Sequence, residues 1–262
     1  MTVSPVPIPG DELRIPASTQ WSALSGRSIR TTVREGDLAL AFSAPLVFYL
    51  CFYVPLRRSM EAGGIDYAQY LLPLIAVYAM FFTGMFAGDR AAREVVGGMA
   101  TRLRAMPVPA WVPLTARMSA NVVRALAALA GSLVIGTVFG FRFHDVGAAL
   151  VFVAVALAFG TALVLNTDAL GTVTKNSDLS GTVLFGPQLL LVMTSTGFVP
   201  AEGFPGWIQP WVRNQPVSQV TDALRELADG RFTATLGVAA IWIAGLLVLG
   251  ATFAVLAQGR RS

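Results

Sequence analysis

The sequence predicts an all-α integral membrane protein with six transmembrane helices. Of its 262 residues, 55% are hydrophobic and only 13% are charged, whereas soluble domains carry about 25% charged residues. The mean hydropathy is +0.63, and the apolar residues are gathered into long runs separated by short polar segments. Six spans of about 20 residues each, with their loops, use nearly all of a chain of this length. We therefore expect one six-span membrane domain over residues 19–262, preceded by a disordered, proline-rich tail over residues 1–18.

The six predicted spans are the longest apolar stretches of the sequence. They cover residues 38–56, 69–88, 118–140, 147–165, 181–198 and 236–257. Pro45 and Pro187 lie inside the first and the fifth stretch. They are compatible with transmembrane helices because neighbouring helices can satisfy the backbone groups that a proline leaves unpaired. The last stretch gives the clearest signal of the six.

The distribution of basic residues predicts the orientation in the membrane. With six spans, both termini share one side with the loops at 89–117 and 166–180, and this side holds about twice as many arginine and lysine residues as the other. An excess of positive charge marks the cytoplasmic side. We expect a multi-pass protein of the plasma membrane with both termini in the cytoplasm, although Arg57 and Arg58 then lie on the outer side.

The segment 19–34, between the tail and the first span, predicts a helix in the plane of the membrane. As a helix it places Arg27, Arg30 and Arg34 on one face and Trp21 broadly on the other, which is the pattern of an amphipathic interfacial helix. A solvated juxtamembrane linker is the alternative. We prefer the interfacial helix because tryptophan is enriched where membrane and water meet.

Two inner loops are candidates for contact with a soluble partner. In the loop 89–117, a basic stretch is stopped by two prolines, and a short rigid helix of this kind can pass force from a soluble motor to a membrane domain. Its candidate coupling residues are Arg102, Leu103, Arg104, Met106 and Pro107. An ordinary basic cytoplasmic loop is the alternative. The polar loop 166–180, with Asp168 and Lys175, is either a second docking point or a solvated connector.

The outer segment 199–232 is too long for a plain hairpin and predicts short helices that touch the outer leaflet. It carries Trp207 and Trp211 among four prolines, and tryptophan favours the membrane interface. After Asn214, a possible helix cap, apolar residues recur at helical spacing. Short helices that enter the membrane only partway satisfy this pattern.

Charged residues are nearly absent from the centres of the predicted spans. Ion channels and proton pumps carry repeated acidic or basic residues there, so the sequence argues against ion conduction. Arg124, in the third span, is the exception. It marks either a polar translocation surface or a side chain that snorkels to the inner interface, and we prefer snorkelling.

The sequence lacks the residues of the common catalytic and metal sites. Lys175 is the only lysine, and no Gly-x-x-x-x-Gly-Lys-Ser/Thr phosphate loop surrounds it, so we expect neither ATP hydrolysis nor a cofactor in this chain. With one histidine, His144, and one cysteine, Cys51, neither a zinc site nor a Ser-His-Asp hydrolase can be assembled. An intramembrane acyltransferase lacks its parts for the same reason. The basic residues lie beside apolar spans and do not indicate nucleic-acid binding.

Several strings of the outer segment resemble the C-terminal signature of type 2 ABC exporter permeases (ABC-2 type transporters). The strings are Thr196-Gly-Phe-Val-Pro200, Phe204-Pro-Gly-Trp-Ile208, Asn214-Gln-Pro216 and Leu224-Arg225. The signature residues in them are Gly197, Pro200, Pro205, Trp207, Asn214, Pro216 and Arg225. Three further strings, Gly140-Phe-Arg-Phe-His144, Gly171-Thr-Val-Thr-Lys-Asn176 and Val212-Arg-Asn-Gln-Pro-Val-Ser-Gln219, are similar to the B-type permease of actinobacterial daunorubicin-resistance and phthiocerol dimycocerosate exporters. The similarity spans residues 20–261.

The resemblance implies a transmembrane permease subunit of an ATP-driven exporter for a lipophilic substrate, either a complex lipid or an anthracycline-like drug. It implies an interfacial N-terminal helix, six spans, a coupling helix between the second and third spans, and re-entrant helices before the last span. It also implies partners: two copies of a separate ATP-binding subunit, which hold ATP and Mg, and a second permease, all meeting the chain at residues 102–109. The alternatives are a membrane scaffold subunit without transport and an exporter of polar glycans or other lipids.

Overall fold

The computed structural model describes residues 16–99, 109, 111–174 and 186–259. Within these residues every regular element is a helix, as the sequence predicts. The long helices are α1 (Ala17–Arg34), α2 (Asp37–Ala62), α3 (Tyr67–Val96), α4 (Trp111–Val138) and α5 (Val146–Thr174). Residues 186–193 form α6, and after them come a 3-10 turn at Ala201–Gly203 and the helices α7 (Gln209–Asn214), α8 (Pro216–Ala228) and α9 (Ala234–Gly259).

Five of the described helices, α2, α3, α4, α5 and α9, are long and apolar enough to cross a membrane. They coincide with five of the six predicted spans. The remaining predicted span, 181–198, lies partly outside the described residues, and its described part is helical only as far as residue 193. A span over 181–198 therefore stays a prediction.

Helices α3, α4 and α5 extend beyond the predicted spans into the predicted inner loops. Helix α3 continues to Val96 and α4 already begins at Trp111, so most of the loop predicted over 89–117 is helical where it is described. Helix α5 continues to Thr174 and carries Asp168, which the sequence placed in a loop. A hydropathy search stops at such charged residues, but a helix can continue through them wherever their side chains are paired.

Helix α3 is the centre of the bundle. It packs against α2, α4, α5 and α8. In its most apolar stretch of 18 residues 83% of the residues are buried, whereas the corresponding share in α9 is 17%. Helix α9 lies at the periphery on α5 and α8, while α1 packs mainly on α4. The outward faces of α2 and α9 carry exposed apolar side chains such as Val47, Val54 and Ile241, as expected for surfaces that lipid covers.

The bundle has two polar ends, at which the long helices begin and end. What we call the α1 end holds α1, the first turns of α2 and α4 and the last turns of α3 and α5. The opposite end holds the turn 63–66, the connection 139–145 and the segment 194–233. Two aspartates cap helices there: Asp66 and Asp145 accept hydrogen bonds from backbone N–H groups of α3 and α5 at 3.2 Å and 2.6 Å. At the α1 end, Gly36 turns α1 into α2 with φ +79°, a conformation that glycine adopts without strain.

Glycine allows α3 and α5 to approach closely near the α1 end. The carbonyl group of Gly88 in α3 faces Gly171 in α5, and a Cβ atom at residue 171 would overlap that carbonyl. One turn away, Gly84 lies against Leu163, where an added Cβ would be 3.4 Å from the leucine Cβ. In an apolar medium helix association depends on such close packing of small residues.

We predict that Gly171→Ala destabilises the bundle. The added methyl group must push two backbones apart, and overpacking of this kind costs about 1–3 kcal/mol. The control is Gly245→Ala in α9, where an added Cβ meets open space and the helix propensity of alanine is favourable by about 1 kcal/mol. The melting temperature of the purified protein in detergent should fall for the first variant and not for the second, and equal melting temperatures would refute the packing role of residue 171.

Candidate functional site

The predicted coupling residues Arg102, Leu103, Arg104, Met106 and Pro107 lie outside the described residues. Along the chain they lie between the end of α3 at Val96 and the start of α4 at Trp111, and we call residues 97–110 the tether. Its role in coupling stays a prediction. The charged residues at the helix ends near the tether are described, and they form two networks.

The first network centres on Asp37, the first residue of α2. Arg124 of α4 donates to Asp37 Oδ2 at 3.0 Å and to Asn121 Oδ1 at 2.7 Å, and its side chain is 0% exposed. Arg90 of α3 donates to the same Asp37 oxygen at 2.5 Å and to Glu35 at 2.9 Å. The network therefore ties the α1–α2 corner to α3 and α4. It also shows that the preferred interpretation of Arg124 as a snorkelling side chain is wrong, because its guanidinium is buried within the protein.

The second network centres on Arg117 of α4. Its guanidinium donates two hydrogen bonds to Asp168 of α5, at 3.0 Å and 2.9 Å, and one to Glu94 of α3 at 3.3 Å. The Asp168 side chain is only 4% exposed. The two-bond geometry is the strong form of an arginine–carboxylate pair, so α3, α4 and α5 are linked by charge at this end.

At the opposite end, Arg225 of α8 holds the segment that follows α6. Its Nη2 donates to the carbonyl oxygens of Thr196 and Gly197 at 3.1 Å and 2.7 Å, and its Nε donates to the carbonyl of Tyr70 in α3 at 3.1 Å. The guanidinium also lies 3.7 Å from the centroid of the Tyr70 ring, within the range of a cation–π interaction. We call this arrangement the Arg225 clamp. It supplies donors to the carbonyl groups of Thr196 and Gly197, which no longer belong to a helix.

Neighbouring side chains complete the clamp. The Tyr70 hydroxyl donates to the Thr196 carbonyl at 2.6 Å, and Asp222 accepts from Arg225 at 2.7 Å and from the Thr196 hydroxyl at 3.2 Å. Burial raises the pKa of Asp222, and the Arg225 guanidinium opposes this shift. At residue 197 a Cβ would overlap the side chain of Leu74, so glycine is required for the segment to lie this close to α3.

The seven signature residues do not form one site. Gly197 and Arg225 meet in the clamp, whereas the others shape the segment: Pro200 precedes the 3-10 turn, Asn214 ends α7 and Pro216 begins α8. Pro205 and Trp207 lie in the turn before α7, where Trp207 is 82% exposed. The sequence singled out Arg225 but not Tyr70, since a lone tyrosine at the start of a span carries no signal.

A line of aromatic side chains connects the two ends. Successive ring centroids lie 6.2, 4.9, 3.6, 4.8 and 4.1 Å apart in the order Phe86, Phe82, Tyr78, Phe48, Phe52, Phe198. We call this line the aromatic stripe. It runs along α3, crosses to α2 and ends beside the Arg225 clamp, and all its members except Tyr78 and Phe198 are partly exposed. The sequence alone does not reveal it, because its members come from three segments that are distant along the chain.

The fold and these sites are those of a multi-pass membrane protein whose charged residues lie at the two ends of an apolar bundle. The profile of the ABC-2 family transporter proteins matches residues 54–257, and the chain belongs to this family. It is 33% identical over 224 residues, 82% of this chain and 78% of the relative, to the doxorubicin resistance ABC transporter permease protein DrrB of Mycobacterium tuberculosis.

Two further relatives agree with this assignment. The probable doxorubicin resistance ABC transporter permease protein DrrC of Mycobacterium tuberculosis is 32% identical over 80% of this chain and 76% of its own length. The daunorubicin resistance ABC transporter permease of Streptomyces coeruleorubidus is 31% identical over 78% of this chain and 70% of its own length. The family resemblance read from the sequence is thereby confirmed, and the chain is a transmembrane permease of an ABC exporter.

We predict that Asp37→Asn strongly destabilises the protein, because it leaves Arg124 buried without a carboxylate. Removing one partner of a buried ion pair costs about 3–5 kcal/mol. The double variant Asp37→Asn, Arg124→Met removes the stranded charge and should recover much of the loss. Glu202→Gln is the control, since the Glu202–Arg213 pair is exposed on both sides and such pairs contribute about 0–1 kcal/mol. Thermal unfolding in detergent measures all three, and a double variant less stable than the single one would contradict the assignment.

We predict that Arg225→Lys loosens the segment 194–204 while the bundle stays folded. Lysine keeps the charge but lacks the planar fork that reaches several carbonyl groups at once. Hydrogen–deuterium exchange should rise in peptides covering residues 194–204 and stay unchanged in α9. Arg213→Lys, which alters an exposed ion pair in the same segment, is the matched control. Equal protection in both variants would rule out the clamp.

Proposed function

We propose that this chain is the permease half of an ATP-driven exporter that carries a lipophilic, aromatic substrate out across the plasma membrane. The aromatic stripe is the observation that carries the proposal. Aromatic rings bind planar apolar molecules by stacking, at about 0.5–1.5 kcal/mol for each pair beyond the apolar area buried. A partly exposed line of rings that reaches from one end of the bundle to the other offers such contacts along a whole path. The relatives named for doxorubicin and daunorubicin resistance support an anthracycline-like drug, and a complex lipid with aromatic or long apolar parts is the other member of the same substrate class.

The orientation we propose places the α1 end in the cytoplasm. The basic residues of the chain support it, since the side with the termini and the segment 100–110 carries the excess of arginine. Helix α1 then lies on the inner leaflet as an amphipathic interfacial helix. The segment 194–233, with its exposed Trp207 and Trp211, then faces the outer leaflet.

The proposed complex contains two copies of a separate ATP-binding subunit and a second permease. ATP and Mg are bound by the ATP-binding subunits, which meet this chain at Arg102, Leu103, Arg104, Met106 and Pro107. The two charge networks support this arrangement, because they join the helices that carry the tether to α1, α2 and α5. A displacement at the tether is then transmitted to several spans together.

The test is ATP-dependent doxorubicin uptake by inside-out vesicles that contain the chain with its ATP-binding subunit and second permease. We expect uptake only with the ATP-binding subunit present. Arg102→Gln with Arg104→Gln should lower uptake while doxorubicin binding, measured by quenching of its fluorescence, stays unchanged. Phe48→Leu with Phe52→Leu should weaken binding itself, and Phe232→Leu, an exposed residue outside the stripe, should affect neither quantity. Uptake without the ATP-binding subunit would refute the proposal, and so would an intact complex that transports neither doxorubicin nor lipid, which would indicate a scaffold.

A further inference from the structure

A cavity of about 510 Å³ opens at the α1 end between α1, α3 and α4, within the size range of ligand sites in proteins. Part of its wall is apolar and comes from Leu24, Phe86 and Pro113. The rest is charged, with four arginines and four carboxylates: Arg27, Arg90, Arg93 and Arg117, and Glu35, Asp37, Asp89 and Glu94. A lining of this kind suits a molecule that joins a charged head to an apolar body.

Most of these charges are already paired with one another. Arg90 binds Glu35 and Asp37, and Arg93 lies 2.9 Å from Asp89. Among the four arginines that line the cavity, Arg27 is the one without a carboxylate partner among the described residues. Its hydrogen-bond contact there is the neutral Sδ of Met99, at 4.0 Å.

A negative charge is in excess elsewhere in the same cavity. Arg117 is shared by two carboxylates, and its two shorter hydrogen bonds, at 3.0 Å and 2.9 Å, both go to Asp168. Glu94 receives one bond of 3.3 Å, the longest ion pair among the described residues. One guanidinium between two carboxylates leaves one negative charge uncompensated, and Glu94 is the carboxylate that lines the cavity. The site therefore presents a free cation, Arg27, and an under-compensated anion, Glu94.

The cavity lies at the level of lipid headgroups. Helix α3 has 30 residues, which corresponds to about 45 Å, whereas the hydrocarbon core of a bilayer is about 30 Å thick. The charged last turns of α3, which line the cavity, therefore extend into the headgroup layer. The membrane itself is then a source of amphiphilic ligands at high local concentration.

We propose that this cavity binds the headgroup of a zwitterionic phospholipid that carries a primary ammonium group, of the phosphoethanolamine class. Arg27 binds the phosphate with its guanidinium fork, and Glu94 accepts hydrogen bonds from the ammonium group. The apolar wall of Leu24 and Phe86 receives the start of the acyl chains. A choline headgroup lacks N–H donors and leaves Glu94 without a hydrogen bond, and a glycerol headgroup lacks the positive charge.

The test is lipid retention by the purified full chain, followed by native mass spectrometry during titration with phosphatidylethanolamine, phosphatidylcholine or phosphatidylglycerol. We expect the wild type to retain phosphatidylethanolamine over the other two lipids. Arg27→Gln should weaken its binding about tenfold, as expected for the loss of a charge-assisted hydrogen bond worth about 1.5 kcal/mol or more. Glu94→Gln should abolish the preference over phosphatidylcholine while binding of phosphatidylcholine itself stays unchanged, because Asp168 still pairs with Arg117.

Arg30→Gln is the matched control, since Arg30 lies on α1 but does not line the cavity, and it should retain the wild-type preference. Melting temperatures of the variants verify that they are folded. Equal retention of the three lipids, or an Arg27→Gln variant that binds like the wild type, would overturn the proposal. Displacement of the lipid by soluble phosphoethanolamine at equal concentration would also overturn it, because the ligand would then be a free phosphate compound and not a bilayer lipid. None of these outcomes depends on which substrate the permease exports.

Discussion

The carboxylate of Asp37 is the group on which the polar organisation of the α1 end depends. Arg124 lies inside the bundle with 0% exposure, and its other side-chain partners, Asn121 and Thr32, are neutral. An ion that has lost its water needs a counterion, because the cost of leaving it alone is several kcal/mol. Since Asp37 is the first residue of α2, this requirement places the start of α2 against α4. Apolar packing alone would set this position weakly, because lipid tails are as apolar as the side chains that they replace.

Helix α3 connects this network to the opposite end. It contributes Arg90 to the network around Asp37 and Tyr70 to the Arg225 clamp. Twenty helical residues separate the two, or about 30 Å, which is about the thickness of the hydrocarbon core. Helix α3 is buried over most of its length, so one continuous, packed helix links the charges of the α1 end to the clamp at the opposite end.

The sequence predicted the apolar helices well, because hydropathy is a local property of consecutive residues. It failed where a residue depends on a distant partner. From the sequence, Arg124 was interpreted as a snorkelling side chain, because its counterion, Asp37, lies 87 residues away along the chain. Helices α3 and α5 were predicted too short because Glu94 and Asp168 appear as breaks in hydropathy until Arg117 is placed between them.

Dependence on distant residues also limited the prediction of the candidate sites. The family signature pointed to Gly197 and Arg225, but the geometry that joins them includes Tyr70, 155 residues before Arg225. The aromatic stripe also escaped detection, since aromatic residues within a span have no period of their own that separates them from other apolar residues. The coupling residues 102–107 and the first part of the span predicted over 181–198 lie outside the described residues.

The clamp and the aromatic stripe are joined by one peptide bond, between Gly197 and Phe198. The contacts of the two sites differ in strength, so they differ in how easily they can be broken and remade. The ring of Phe198 lies 4.1 Å from that of Phe52, and an aromatic contact contributes about 0.5–1.5 kcal/mol. A planar substrate of the proposed kind can replace such a contact with an equivalent one, so the rings can separate and rejoin at little net cost. Hydrogen bonds from a charged group contribute about 1.5–3 kcal/mol each, and Arg225 makes two of them to the carbonyl groups next to Phe198. The backbone at this end of the stripe is therefore held while the rings remain exchangeable, and two of the signature residues, Gly197 and Arg225, lie at the backbone that is held.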